Sequence, residues 1–366
     1  MQHSKNVTGG ITIAALIALT LGACSAPPAE PGATDPAAVD FLPCAVSDLT
    51  GFDDNDFNQL TFEGVQQAAA EIGTTARGAE SASEDQYVGN IEALIDQQCD
   101  LIVTVGFALA NATRDVALVN EDVRFALIDS TVTNDDFSPL ELANVKPVLF
   151  DTAQAAALAG YAAAGATTTG AVGTYGGMPF PSVTVFMDGF QVGIEHYNEV
   201  HGTSVRLFGW DREAQNGLFV GSFDDQLQAK NITLGLLDQD VDIIMPVAGT
   251  LFIASIDAIN ERGTDAGIIG VNSDAYLTAP DYGAYLLTSV MKNLTTAAHE
   301  VTMSTYDGSF SSDPYVGTLE NGGVGIAPFH EWESRLSASL IAEIEQLTAD
   351  IIAGTFVVDS PSSPRG

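Results

Sequence analysis

Positive charge is scarce in this chain: 12 Lys and Arg stand against 48 Asp and Glu, a net charge of −36. Phosphate backbones and anionic lipid surfaces repel such an exterior, which argues against nucleic acid as a partner. The acids are spread along the chain and form no tail, so they read as a solvated surface. Cysteine is almost absent, at three residues, and no two of them have metal-ligand spacing. The five histidines (His3, His196, His201, His299, His330) are scattered and make no H-E-x-x-H. No G-x-S-x-G nucleophile elbow occurs. Tyr175-Gly176-Gly177-Met178 has the spacing of neither a dinucleotide-binding loop nor a P-loop, so a nucleotide phosphate has no obvious cradle. No metal and no cofactor is implied. Long apolar runs are missing too, apart from one near the start.

That run is Ile11 to Thr20, behind a polar stretch carrying Lys5 and before Leu21-Gly22-Ala23-Cys24. A basic n-region, a short apolar core and small residues before a cut are the layout of a secretory signal, too short for a comfortable membrane span. Leu-Gly-Ala-Cys resembles a bacterial lipobox, in which Cys24 would become the lipidated first residue of the mature chain. The rival is an ordinary signal peptide with a chance cysteine. Residues 25–40 hold four prolines and no apolar periodicity, the composition of an extended tether. About 325 residues follow, too many for a typical single core, so two domains are expected.

The stretch around which the rest is arranged is residues 48–59, Asp-Leu-Thr-Gly-Phe-Asp-Asp-Asn-Asp-Phe-Asn-Gln. Cys44 to Ser47 before it reads as the end of a buried strand. After it, Leu60, Gly64, Val65, Ala68, Ala69 and Ile72 recur at helical spacing, with Gly73 as the stop. Strand, polar turn and helix make the first βα unit of an open parallel sheet, in which ligands bind beyond the carboxyl ends of the strands. Carboxylates, an amide and a ring at a helix mouth suit a small polar ligand with a flat ring; the plainer reading is an acidic turn with an Asp or Asn cap.

The alternation continues. Helices are predicted over 86–98 and 108–120, and strands over 101–105, 123–129 and 145–151, the last marked by Pro147 as an edge or a bulge. If the first and third strands are neighbours, in a 2-1-3-4-5 order, Cys44 and Cys99 lie at matching ends of adjacent strands. Strands ~4.8 Å apart allow a disulfide there; two buried thiols are the alternative. A second α/β lobe then starts. Helices are predicted over 153–166, 183–198, 224–237 and 251–262, and strands over 170–177, 205–210, 241–249 and 267–274. The end of the chain is expected to recross, with a helix near 292–306, a strand over 322–327 and a helix over 336–354. The predicted division is 1–23 signal, 24–40 tether, 41–151 plus about 288–312 first lobe, and 152–287 plus about 313–361 second lobe. Three crossings would form the hinge of a bilobed binding protein.

Asp48-x-x-Gly51-x-x-Asp54-x-x-Phe57-Asn58-Gln59 resembles the basic membrane protein family, the PnrA-like nucleoside-binding lipoproteins of ABC transporters. Gly189-Phe190, residues 240–249, Val271-Asn272-Ser273-Asp274 and Asn321-Gly322-Gly323-Val324-Gly325 match the family's pattern as well, so the resemblance covers most of 44–355. It implies an α/β, two-lobed type I periplasmic-binding-protein fold with the ligand between the lobes. The protein would be a lipid-anchored, extracytoplasmic binding protein, not an enzyme, that hands a nucleoside, a purine one first, to permease subunits. Asp48, Asn58 and Asp129 would contact the base, Phe57 would stack on it, Asp274 and Lys292 would hold ribose, and Gly249 would offer its backbone. Where the family often has a second stacking aromatic, this chain has Ile244-Met245-Pro246-Val247, and Met245 could pack its thioether on the base. From the residues alone, Phe57 could also be a core staple, Asn58 and Asp48 turn-makers, Asp274 a cap, and Lys292 a surface lysine. The other function class is a secreted nucleoside or sugar hydrolase using the acidic cluster at 48–56.

Cys24 is expected to carry lipid after cleavage, with residues 1–23 lost. Mass spectrometry of the membrane-extracted protein checks this, and an unmodified Cys24 or a retained leader would overturn it.

Overall fold

The computed structural model describes residues 39–136 and 138–364; the expected signal, the expected lipidation site Cys24 and most of the expected tether lie outside them. In the first lobe, β1 (Pro43–Val46) leads through the acidic turn to α1 (Phe57–Ile72), which Gly73 ends in a left-handed cap. Then follow β2 (Arg77–Ala79), α2 (Tyr87–Asp96), β3 (Leu101–Val105), α3 (Ala110–Ala117), β4 (Arg124–Ile128) and β5 (Val145–Phe150). The second lobe opens with α4 (Thr152–Ala166), β6 (Ala171–Gly176), α5 (Pro181–His201) and β7 (Arg206–Phe208). A small hairpin of β8 (Trp210–Asp211) and β9 (Asn216–Gly217) precedes α6 (Gln226–Leu237). The lobe continues with β10 (Ile243–Val247), α7 (Phe252–Arg262), β11 (Gly267–Asn272), a one-turn α8 (Ala275–Thr278) and β12 (Leu286–Lys292). The chain ends with α9 (Leu294–Tyr306), β13 (Tyr315–Gly317), β14 (Val324–Ile326) and α10 (Ala338–Ile352).

Two six-stranded sheets result, in the orders β13-β5-β4-β3-β1-β2 and β14-β12-β11-β10-β6-β7. All neighbours run parallel except β12 and β14. The central strands are buried on both faces, which is why they read as continuous apolar runs such as Leu101-Ile102-Val103-Thr104-Val105. Alanine-rich α4 is buried along nearly its whole length against α5. Gly189 and Gly193 of α5 make that contact possible, because a Cβ at either would collide with the Ala153 or Ala157 carbonyl of α4. Among the described residues no helix is long and apolar enough to cross a membrane.

The structure moves three expectations. β12 belongs to the second sheet through Lys292, and β13 to the first, so the returning piece of the first lobe is 294–317, not 288–312. The apolar run of β12 shows that it is buried but not in which sheet. β5 is an interior strand without a bulge at Pro147, but β13 joins it only from Val148, so Pro147 stands where β5 is still locally the edge of the sheet. The Asp129 amide donates to the Val148 carbonyl at 2.7 Å and the Asp151 amide to the Gly317 carbonyl at 2.8 Å, so residue 147 faces the β13 side. β13 pairs only from Val148 onward, and the missing N–H interrupts no ladder bond. The predicted strand over 205–210 is broken at Gly209, whose φ is +92°, and Trp210 starts the hairpin instead.

Cys44 and Cys99 are joined by a disulfide, with Cα atoms 6.0 Å apart, at the amino-terminal ends of neighbouring β1 and β3. The bridge lies opposite the acidic turn and closes a segment of 55 residues. Cys44→Ser is expected to lower stability by about 2–4 kcal/mol, read as a lower melting point that the wild type reproduces under reductant. A melting point unchanged by both would show the bridge does not hold the fold.

Candidate functional site

The turn after β1 is built from its own side chains. Asn58 is fully buried: its Oδ1 accepts from the Asp48 amide at 3.0 Å, and its Nδ2 faces Asp48 Oδ1 (2.9 Å), Thr50 Oγ1 (2.8 Å) and Asp54 Oδ2 (3.1 Å). Asp54 accepts from the free amides at the start of α1, those of Asn58 at 2.9 Å and Gln59 at 3.0 Å, as well as from that of Asp56. The cap is therefore a carboxylate of the turn itself. Asp48 Oδ1 also accepts from the Thr50 amide (2.9 Å) and hydroxyl (2.7 Å). Its Oδ2 has no hydrogen-bond donor among the described residues and lies beside Gly106, where a Cβ would stand 3.6 Å from it and 3.4 Å from the Phe57 ring. With φ at +99°, glycine suits that place twice over. Burial raises the Asp48 carboxyl above its ordinary range, against the hydrogen bonds from Thr50 and Asn58.

Three contacts join this turn and its neighbours to the second lobe. Asp56, 7% exposed, accepts from Asn272 Nδ2 at 2.8 Å and from the Ser273 hydroxyl at 2.9 Å, both at the end of β11. Burial, with help from the charge of Asp54, pushes its carboxyl up to about 7, while Asn272, Ser273 and Lys292 act in the opposite direction. Lys292, at the end of β12, is 5% exposed and pairs with Asp129 at the end of β4. Its ammonium also lies over three rings, 5.0 Å from that of Phe186, 5.5 Å from Phe57 and 5.9 Å from Phe150. Phe107, after β3, meets Phe180, before α5, with ring centroids 3.9 Å apart; Phe223 stands 6.0 Å from Phe107.

Asp48, Phe57, Asp129 and Lys292 thus come together at the carboxyl ends of both sheets, and a Cβ on Gly249 would lie 3.9 Å from Asp56 Oδ2. Asn58 stands among them, but its amide is engaged within the turn. Met245 does not reach the cleft: it sits inside β10, fully buried in the core. The aromatic faces between the lobes come from Phe107, Phe180 and Phe223 instead. Asp274 is turned into its own lobe. One oxygen caps α8 through the Tyr276 amide (3.1 Å), and the other meets His330 Nε2 at 2.8 Å, with the imidazole stacked on Tyr276 at 4.0 Å. Lys292 balances Asp129, not Asp274. Asp54 and Asp56, two acids of the proposed hydrolase cluster, serve as cap and lobe bridge.

The sequence profile described as ABC transporter substrate-binding protein PnrA-like matches residues 42–360. The chain belongs to that family. Relatives of similar sequence include basic membrane protein A of Borreliella burgdorferi, 29% identical over 317 residues, which are 84% of this chain and 85% of that protein. Another is the Lactococcus lactis protein named ABC transporter nucleoside-binding protein BmpA, 26% identical over 97% of this chain and 99% of its own length. Among solved structures, an ABC transporter solute-binding protein of Aeropyrum pernix K1 superposes with a TM-score of 0.75 at 24% identity, covering 87% of this chain and 94% of that one. This last likeness supports the two-lobed, periplasmic-binding-protein fold, and the family assignment makes the chain an ABC transporter substrate-binding protein.

The sequence reading missed Asp56, Asn272, Phe107 and Phe180. The signal was present for all four, since Phe107 and Phe180 follow β3 and β6 within four residues, Asn272 ends β11 and Asp56 lies in the turn after β1, where an open α/β sheet places ligand-side groups. Asn58→Ala should remove the acceptor of the Asp48 amide and a donor to two carboxylates at once. We expect a loss of about 1–3 kcal/mol in denaturant unfolding with an unchanged m-value. An unchanged midpoint would show that the turn does not depend on this amide.

Proposed function

We propose that this chain is the lipid-anchored, extracytoplasmic component of an ABC importer that captures nucleosides, purine nucleosides foremost, and presents them to permease subunits. The observation that carries the reading is the meeting of Lys292, Asp129 and the Phe57 ring where the two sheets face each other. A nucleoside offers a flat base, polar edges and vicinal hydroxyls. Phe57 gives the base a face, and Asp48 accepts from its edge through the oxygen that has no protein donor. Asp129 and Lys292 receive the ribose hydroxyls, one as acceptor and one as donor. Gly249 contributes backbone, and Asn58 acts by fixing Asp48. Phe107, Phe180 and Phe223 take the place proposed for Met245. Asp274 would join the ribose only by leaving its cap and His330. The name of the Lactococcus lactis relative supports the ligand class.

A thermal-shift screen of nucleosides, free bases, sugars and amino acids tests this. A nucleoside at ~100 times its dissociation constant should add about 2.7 kcal/mol of stability and come back chemically intact. Lys292→Met should weaken the nucleoside at least about tenfold, a change of ~1.4 kcal/mol, and leave a free base much less affected. Stabilisation by sugars or amino acids alone, or catalytic release of free base, would overturn the reading.

A further inference from the structure

Asp56 stands apart from the other acids of the cleft. It is buried between the lobes, and among the described residues its two oxygens meet only neutral donors, the Asn272 amide at 2.8 Å and the Ser273 hydroxyl at 2.9 Å. Every element packed around it contributes to its electrostatics. Its own turn supplies Asp54; β11 and the residue after it supply Asn272 and Ser273; the turn after β10 supplies uncharged Gly249; and Lys292 of β12 is already paired with Asp129. An ionised carboxylate shut away from water with no cation of its own is expensive, and a proton removes most of that cost. The site accepts either form. Ionised, Asp56 accepts from both donors. Protonated, it can donate to Ser273 Oγ, whose hydrogen can then turn to Thr278 Oγ1, 3.3 Å away.

We propose that Asp56 is a proton-operated latch of lobe closure: a positioning residue that takes up one solvent proton as the lobes close over a ligand. The proposal rests on the reading of the chain as a protein that closes over its ligand. Burial between the lobes raises the Asp56 carboxyl from its ordinary value of 3.8 to about 7, a shift that parting the lobes would relieve. The closed form therefore binds the proton more tightly. Ionised closure carries its full cost above pH 7, and the cost falls as the pH drops through 7, so affinity rises toward acid. From these two values the dissociation constant should fall about tenfold between pH 8 and pH 6.

The test is calorimetry on the full chain purified in detergent, with a nucleoside that does not itself titrate between pH 6 and 8. Asp56→Asn, neutral at every pH and nearly the same shape, should lose both the pH dependence and the proton uptake seen by changing buffer. Ser273→Ala, which removes a donor to the ionised form, should move the midpoint of the profile upward. Small-angle scattering of the ligand-free protein should show a more compact particle at pH 6 than at pH 8, and not in Asp56→Asn. A pH dependence that survives in Asp56→Asn belongs to other groups, histidines included, and overturns the latch. Nucleoside binding with no pH dependence overturns the latch and leaves the function standing. No nucleoside binding, with compaction at pH 6 that Asp56→Asn abolishes, overturns the function and leaves the latch.

Discussion

The two halves of this protein meet through buried carboxylates, and that constraint governs what surrounds them. A carboxylate taken out of water needs donors or a cation, or it takes up a proton. Asp129 has its cation in Lys292, whose ammonium is further surrounded by three aromatic rings. Asp56 has only the amide of Asn272 and the hydroxyl of Ser273. In both contacts the first lobe supplies the acid and the second supplies the donors, all at carboxyl ends of strands. The chain passes between the two sheets beside the Lys292 contact: β12 leads into α9 immediately beyond Lys292, and α4 starts two residues beyond Phe150.

Holding such groups in register requires a rigid support, and the acidic turn supplies one from its own residues. Asn58 ties Asp48, Thr50 and Asp54 together, and Asp54 caps the helix that carries Phe57 and Asn58. The turn thus sets the direction of Asp48 Oδ2 through its own hydrogen bonds, and the Phe57 ring that it positions meets Lys292 of the other lobe. Groups that position ligand-binding side chains are in effect part of the site.

Much of this was legible in the sequence, for a physical reason. Strands buried on both faces leave continuous apolar runs, helices leave a 3.6-residue period, and the turn of residues 48–59 stands out between them, so the two α/β lobes and the opening unit followed directly. The pairing of Cys44 with Cys99 could be framed from strand order, though free thiols fitted the same residues. What could not be read were partnerships across hundreds of residues. Nothing near Asp56 announces Asn272, and nothing near Lys292 distinguishes Asp129 from Asp274. Met245 illustrates a second limit: the apolar run around it fixes a strand but not which of its residues reach the end of the sheet. β13, only three residues long, has no periodicity of its own, so its return to the first sheet depends entirely on the crossing that delivers it.

The charge of the chain gives the cleft its last constraint. Asp48, Asp56 and Asp129 converge there, with Lys292 paired to Asp129, in a protein whose net charge is already −36. Bringing the lobes together concentrates negative charge in a region of low dielectric, where repulsion is screened least. Neutral donors take the role that further cations would otherwise have, as Thr50, Asn58, Asn272 and Ser273 do around Asp48 and Asp56. A ligand carrying a phosphate would add charge of the wrong sign and would find the start of α1 already occupied by Asp54. A neutral ligand rich in hydroxyl and amide donors meets neither obstacle, since each donor it brings relieves an acceptor that closure would otherwise bury alone. On electrostatic grounds the proposed ligand, a neutral nucleoside, fits this cleft better than its phosphorylated form would.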